Sequence, residues 1–152
     1  MIQQVVGDSM GAKDLYGKAL SIDERLVREH PDTPRYRQKS APTLVGLANL
    51  ELLSRQFQAA LSLAQQAVER DPGASWINTR LAHSLLFTGQ YPQAAQLYLA
   101  NPAEKLPIFG GKTFAEVVLE DFKQFRAKGI THPDMAKIEK LLRGSIPGTP
   151  HD

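Results

Sequence analysis

Gly110-Gly111-Lys112-Thr113, at the head of a helix-forming stretch, is the run in this 152-residue chain that most suggests chemistry. A phosphate-binding loop cradles its anion with backbone N–H groups, a lysine and a Ser/Thr hydroxyl. That loop needs a further glycine five residues before Gly111, and Leu106 stands there. It also needs a strand leading in and a parallel sheet around it, which the flanking sequence does not supply. The run is therefore read as a turn followed by a helix cap. The four histidines are His30, His83, His132 and His151. None has a second histidine at helical spacing and no carboxylate pair accompanies them, so no metal set assembles. Zero cysteines removes thiol catalysis, zinc–thiolate sites and disulfides. With no nucleophile–base pair either, the expectation is a chain that is not an enzyme and holds no cofactor and no metal.

Composition narrows the partners. Eighteen Lys and Arg against sixteen Asp and Glu leave a net charge of +2, too little to argue for nucleic acid. No apolar run approaches the roughly 18 residues of a membrane span. The start, Met1-Ile2-Gln3-Gln4, has no basic region leading into an apolar core, so no signal peptide is read there. Absence of cysteine fits a reducing compartment, and the expected location is the cytoplasm. The abrupt start suggests a piece of a longer protein.

The elements that would position any site are helical. Residues 1–12, with Gly7, Ser9 and Gly11, are read as a frayed helix or the remnant of a preceding unit. From about Lys13 to Glu29, Leu15, Ala19, Ile22, Leu26 and Val27 recur at three- and four-residue steps, giving an apolar stripe that His30-Pro31 ends. Arg35, Arg37 and Lys39 fall in a solvated connector or an extension of the next helix, with a phosphate or acidic-peptide site as the sharper alternative. Residues 41–100 carry only three acids (Glu51, Glu69, Asp71) and three bases (Arg55, Arg70, Arg80). So little charge predicts a segment covered on more than one face. Residues 101–112, with Pro102, Pro107, Gly110 and Gly111, read as a loop whose Ile108 and Phe109 should pack back on the helices. Thr113 with Glu116, and Thr131 with Asp134, read as capping boxes opening two last helices. Phe114, Val117, Val118, Phe122 and Phe125 line the first, and Ile138, Leu141 and Leu142 the second. The tail 145–152 reads as disordered.

The middle of the chain repeats. Sliding Leu47–Leu63 forward as a block places it on Leu81–Leu97. Leu47 meets Leu81, Ala48 meets Ala82, Leu52 meets Leu86, Phe57 meets Tyr91 and Ala60 meets Ala94. Antiparallel helices approach closely only where small residues sit at the crossing, which Ala48, Ala60, Ala82 and Ala94 provide. Gly89 suits a left-handed turn between helices, and Pro72 stops the helix before it.

On these residues, and on the step from Leu47 to Leu81, the chain resembles the tetratricopeptide repeat family, whose period is about 34 residues. With Ala41 at repeat position one, the family's leucine–alanine pair falls at Leu47 and Ala48. Its small residue falls at Ala60, its later core positions at Ala64 and Ala67 and its proline at Pro72. The next unit starts at Ser75 and offers Leu81, Ala82, Gly89, Tyr91, Ala94 and Tyr98. Glu51 departs from the pattern where an aromatic is usual, Arg55 where glycine is usual, and Asn101-Pro102 should end the last repeat helix about a turn early. Ala19 and Pro31 resemble the end of a partial first repeat. The resemblance implies an all-α solenoid, a TPR-like superhelix of antiparallel helix pairs. Its expected parts are a partial repeat and connector (1–40), repeats at 41–74 and 75–100, a loop (101–112), capping helices (113–144) and the tail. The two-helix ending resembles the final segment of bacterial proteins that end in such repeats, and would cover an apolar face left open by the last unit.

In that family the first helices of successive units line a concave groove. The groove phases map here to Val45, Asn49, Leu52 and Leu53, then to Trp76, Thr79, Arg80, His83, Leu86 and Phe87. The expected partner-binding residues are Asn49, Leu53, Trp76, Arg80, His83 and Phe87. They mix donors with apolar area, which suits a peptide or a partner helix. The alternative is that the leucines and Phe87 pack between helices while Asn49 and Arg80 are solvated. The family's two-carboxylate clamp is not reproduced, since Val45 stands where a lysine is needed. The resemblance thus implies a non-catalytic protein- or peptide-binding scaffold, with no small-molecule substrate and no membrane. A structural spacer or homo-oligomerisation segment is the second reading, and an RNA-binding helical array the third.

Overall fold

The computed structural model describes residues 2–145, with side chains from Gly11 onward. It is all-α: among the described residues seven α-helices make up most of the chain. They are α1 (Ile2–Glu29), α2 (Pro34–Leu53), α3 (Phe57–Arg70), α4 (Ile77–Phe87), α5 (Tyr91–Ala100), α6 (Phe114–Ala127) and α7 (Met135–Gly144). Two short strands, β1 (Lys105–Leu106) and β2 (Lys112–Thr113), lie between α5 and α6. The helices divide into two compact units, Met1–Ala74 and Ser75–Asp152. The tail beyond 145 lies outside the described residues.

In the first unit α1 and α3 both pack on α2. Ala41, Leu44, Ala48, Leu52, Ala60, Ala64 and Ala67 are fully buried, so small side chains do set the helix separation. Helix α1 begins at Ile2, not near Lys13, and runs through Gly11 and Gly17 without a break. Helix α2 starts at Pro34 and carries Arg35, Arg37 and Lys39 on its first turns. Buried Asp23 accepts from Thr43 Oγ1 at 3.0 Å, and Arg70 reaches Glu24 at 2.7 Å, so polar contacts tie α2 and α3 to α1. Glu51 is 5% exposed and pairs with Lys13 at 2.5 Å, an ion pair where the repeat pattern usually has an aromatic. Tyr16 lies over Gly46, where an added Cβ would come within 2.6 Å of the ring.

Three helices end alike. After α2, Gln56 N–H donates to Glu51 C=O at 2.8 Å and Arg55 N–H to Leu52 C=O at 3.1 Å. After α4 the same pair joins Gln90 to Leu85 and Gly89 to Leu86, and after α6 it joins Ile130 to Phe125 and Gly129 to Arg126. This pair of hydrogen bonds satisfies two of the last carbonyls and requires a left-handed residue. Gly89 (φ 81°) and Gly129 (φ 75°) fill that place freely, and Arg55 fills it at φ 64°.

The second unit holds α4 to α7. Ile77, Ala82 and Leu86 of α4 and Ala94 and Tyr98 of α5 are fully buried. Helix α5 stops at Ala100, whereas the repeat register that pairs Phe57 with Tyr91 would carry it to Glu104, the counterpart of Arg70. The stretch expected as a plain loop forms an antiparallel bridge, Lys105 opposite Thr113 and Leu106 opposite Lys112. Leu106 anchors it at 2% exposure, and Gly110 and Gly111 turn its tip at positive φ. Phe109 packs back half-buried, but Ile108 stays 55% exposed. Thr113 forms its capping box: it accepts from Glu116 N–H, and Glu116 accepts from Thr113 N–H. The second expected box does not form. Asp134 caps α7 with no side-chain bond, and its N–H donates instead to His132 Nδ1 at 3.1 Å.

Candidate interaction surface

Helix α4 has two working faces. Ile77, Ala82 and Leu86 lie on the buried side, in the unit whose α4 and α5 pack as a pair. Arg80, His83 and Phe87, spaced by three and four, face α6. Arg80 Nη1 meets Asp121 Oδ2 at 2.8 Å, and His83 Nε2 meets the same oxygen at 3.0 Å. The His83 ring lies 5.5 Å from Phe122 and 5.2 Å from Phe125, and Phe87 makes an edge contact with Phe125 at 5.4 Å. The chain's own α6 therefore covers the inner part of the face expected to line a groove. His83 is fully buried and Phe87 half-buried.

The polar centre of this face is a chain of four side chains. Tyr98 Oη and His83 Nδ1 are 2.6 Å apart, His83 Nε2 joins Asp121, and Asp121 joins Arg80. Burial lowers the His83 pKa and outweighs its hydrogen bond to Asp121 and that carboxylate's charge, while the Arg80 cation lowers it further. Burial likewise drives the Tyr98 phenol well above 10.0. Burial alone would raise Asp121, but His83 and Arg80, both hydrogen-bonded to it, hold it below the usual carboxylate value. A neutral imidazole thus donates from Nε2 to a carboxylate and accepts at Nδ1 from a phenol.

Outside this centre the face opens into a cleft of about 330 Å³. Arg80, Asp121, Val117, Gln124 and Phe109 line it, with Lys112 and Glu120 at 2.5 Å from each other on its wall. The Arg80 guanidinium sits 5.5 Å from the Phe109 ring centre, and half-buried Trp76 meets Phe109 edge-on at 6.3 Å. Arg80 bonds only through Nη1 among the described residues, to Asp121 and to Thr79 Oγ1. Its other nitrogens keep donors to offer. Arg80 thus lines the cleft and Trp76 meets its Phe109 wall, while His83 and Phe87 pack on α6. Asn49 and Leu53, half-buried on the last turns of α2, belong to the first unit. No cluster of metal-ligating side chains occurs among the described residues, and none of their helices is long and apolar enough to cross a membrane.

Residues 51–105 match the family model of the tetratricopeptide repeat. This stretch is similar to a tetratricopeptide repeat. No solved structure matches the chain significantly. The match runs from the end of α2 through α5 to β1, about a third of the chain, and leaves α1, α6 and α7 outside it. Tetratricopeptide repeats are typically non-catalytic and support protein–protein interaction in general terms.

Sequence reasoning did not single out Asp121, the acid that joins Arg80 to His83. Its signal was spacing: Val117, Asp121 and Phe125 recur every four residues, so Asp121 lies on the apolar stripe of α6. Tyr98 carried a weaker signal. It occupies the repeat phase of Ala64, where the first unit needs only a methyl group.

Proposed function

We propose that the chain is a non-catalytic scaffold that binds an extended segment of another protein in the cleft between Arg80, Phe109 and α6. In this reading α2–α3 and α4–α5 are the two repeats, and α6–α7 is the closing pair. The observation that carries it is the cleft's mixed lining. Phe109 and Val117 supply apolar area, Arg80 keeps unused donors, and Asp121, Glu120 and Gln124 supply acceptors. Its charges already balance in pairs, Arg80 with Asp121 and Lys112 with Glu120. Such a lining suits a peptide backbone with one apolar side chain better than an ion of either sign. His83 and Phe87 support the site from below.

The experiment is a peptide-display selection on the full chain, repeated on Phe109→Ala and Gln124→Ala. Selected peptides should lose about tenfold or more in affinity for Phe109→Ala, the scale of an interface hot spot. Peptides that bind both variants as tightly as the parent would move the site elsewhere.

Self-association is the second reading, and one observation favours it. Leu15 and Ile22, two turns apart on one face of α1, are 68% and 58% exposed. Sedimentation across a concentration series separates the two: a monomer throughout leaves peptide binding alone.

A further inference from the structure

We infer that α1 pairs antiparallel with α1 of a second copy of this chain, seating Leu15 against Leu26 of the second copy and Ala19 against Ile22 of the second copy. The pairing rests on the self-association reading and gives it a surface, an orientation and a register.

Helix α1 carries two stripes of opposite character. The stripe turned to α2 and α3 is held largely by polar contacts. Lys13 meets Glu51, Asp23 accepts from Thr43, Glu24 meets Arg70, and the Tyr16 ring lies over Gly46. Asp23 is buried there. Leu15, Ala19, Ile22 and Leu26 form the other stripe, at steps of four, three and four residues. That four–three alternation is the spacing of a seam between two helices. Leu15 and Ile22 are the two most exposed large apolar side chains among the described residues, and Ala19 and Leu26 beside them are half-buried. A helix that buries an aspartate and leaves a leucine and an isoleucine in water has a second surface to cover.

The stripe is complementary to itself. In the antiparallel register Leu15 meets Leu26 of the second copy, Ala19 meets Ile22 of the second copy, and the two-fold axis repeats both contacts. Each isoleucine then fills the space over an alanine. A parallel pair would set Ala19 against Ala19 of the second copy, between layers of larger side chains that hold the helices apart, and leave a void.

Charge agrees with this orientation. Lys18 and Arg25 flank the stripe on its exposed side, and each meets an acid of its own helix, Lys18 with Asp14 at 3.3 Å and Arg25 with Glu29 at 3.7 Å. The pairs cancel, so the two exposed flanks can lie side by side, as antiparallel pairing requires. Asp14 then falls about 3 Å along the axis from Arg25 of the second copy, two residues' rise, and can serve both cations. Parallel pairing would turn the flank toward the polar stripe of the second copy, which α2 already covers and where Thr43 already takes Asp23.

The test is sedimentation equilibrium of the full chain across a concentration series, with circular dichroism on every variant. The parent should be a reversible dimer. Ile22→Glu, at a position open to water in the monomer, should keep its helix content and associate at least about thirtyfold more weakly, the scale of an interface hot spot. Orientation is read by cross-linking, which the absence of cysteine makes clean. A mixture of Leu15→Cys and Leu26→Cys chains should join through a short bifunctional thiol reagent. Neither variant should join alone, since like positions stand about 16 Å apart along the axis of an antiparallel pair. Joining within each variant alone would mean a parallel pair. A dimer that Ile22→Glu leaves intact, or a mixture that does not join, would keep self-association but move it to another surface. A parent that is monomeric at every concentration would remove self-association altogether and leave the stripe to another protein. Each of these results overturns the pairing.

Discussion

Arg55 and Gly89 occupy the same position in successive repeats, close the same hydrogen-bonded turn and share the same left-handed backbone, so they allow a paired test. At Gly89 φ is +81°, and a Cβ built there meets nothing within 4 Å. Alanine at 89 therefore suffers no collision with neighbours, only the intrinsic crowding of a side chain in that conformation, roughly 1–2 kcal/mol. The loss of unfolded-chain freedom from Gly to Ala returns roughly 0.4–1 kcal/mol. The expected net destabilisation is about 1 kcal/mol. Arg55→Gly reverses the backbone term and should stabilise, by less than about 1 kcal/mol, because the interactions Arg55 makes are lost with it. The assay is urea unfolding followed by circular dichroism. With a slope of about 1–2 kcal/mol/M, Gly89→Ala should lower the midpoint by roughly 0.5–1 M and leave the slope unchanged. Midpoints moving the same way in both variants would refute the reasoning, since contacts rather than φ would then decide these turns.

Two further outcomes are expected. Ala82→Arg should unfold the second unit, because Ala82 is fully buried and a long cation there costs several kcal/mol, about 3 or more; near-parental melting by circular dichroism would show the α4 register to be wrong. Thr113→Ala removes an N-cap whose capping box is complete, and should lower stability by about 1 kcal/mol; an unchanged urea midpoint would mean that the β1–β2 bridge, not the cap, fixes the start of α6.

Period and residue size were enough to read the helix pairs. Ala48, Ala60, Ala82 and Ala94 are buried because backbones can meet closely only over small side chains, a local rule visible in a single chain. The left-handed turn at Gly89 and the cap at Thr113 are local in the same way: each depends on residues within five positions. The prolines and glycines after Ala100 announced a break but not the β1–β2 bridge. Strand pairing over so short a stretch depends on Leu106 finding the core, and composition does not record that. The fate of Arg80, His83 and Phe87 was beyond the sequence for a related reason. Their spacing placed them on one face of α4, and nothing within α4 says whether that face meets water, a partner or another helix of the chain. The answer came from Asp121, Phe122 and Phe125, on a helix far along the chain, with α5 and the β1–β2 bridge in between. The pairing of one buried imidazole with a distant carboxylate and a distant phenol exists only once α4, α5 and α6 have packed.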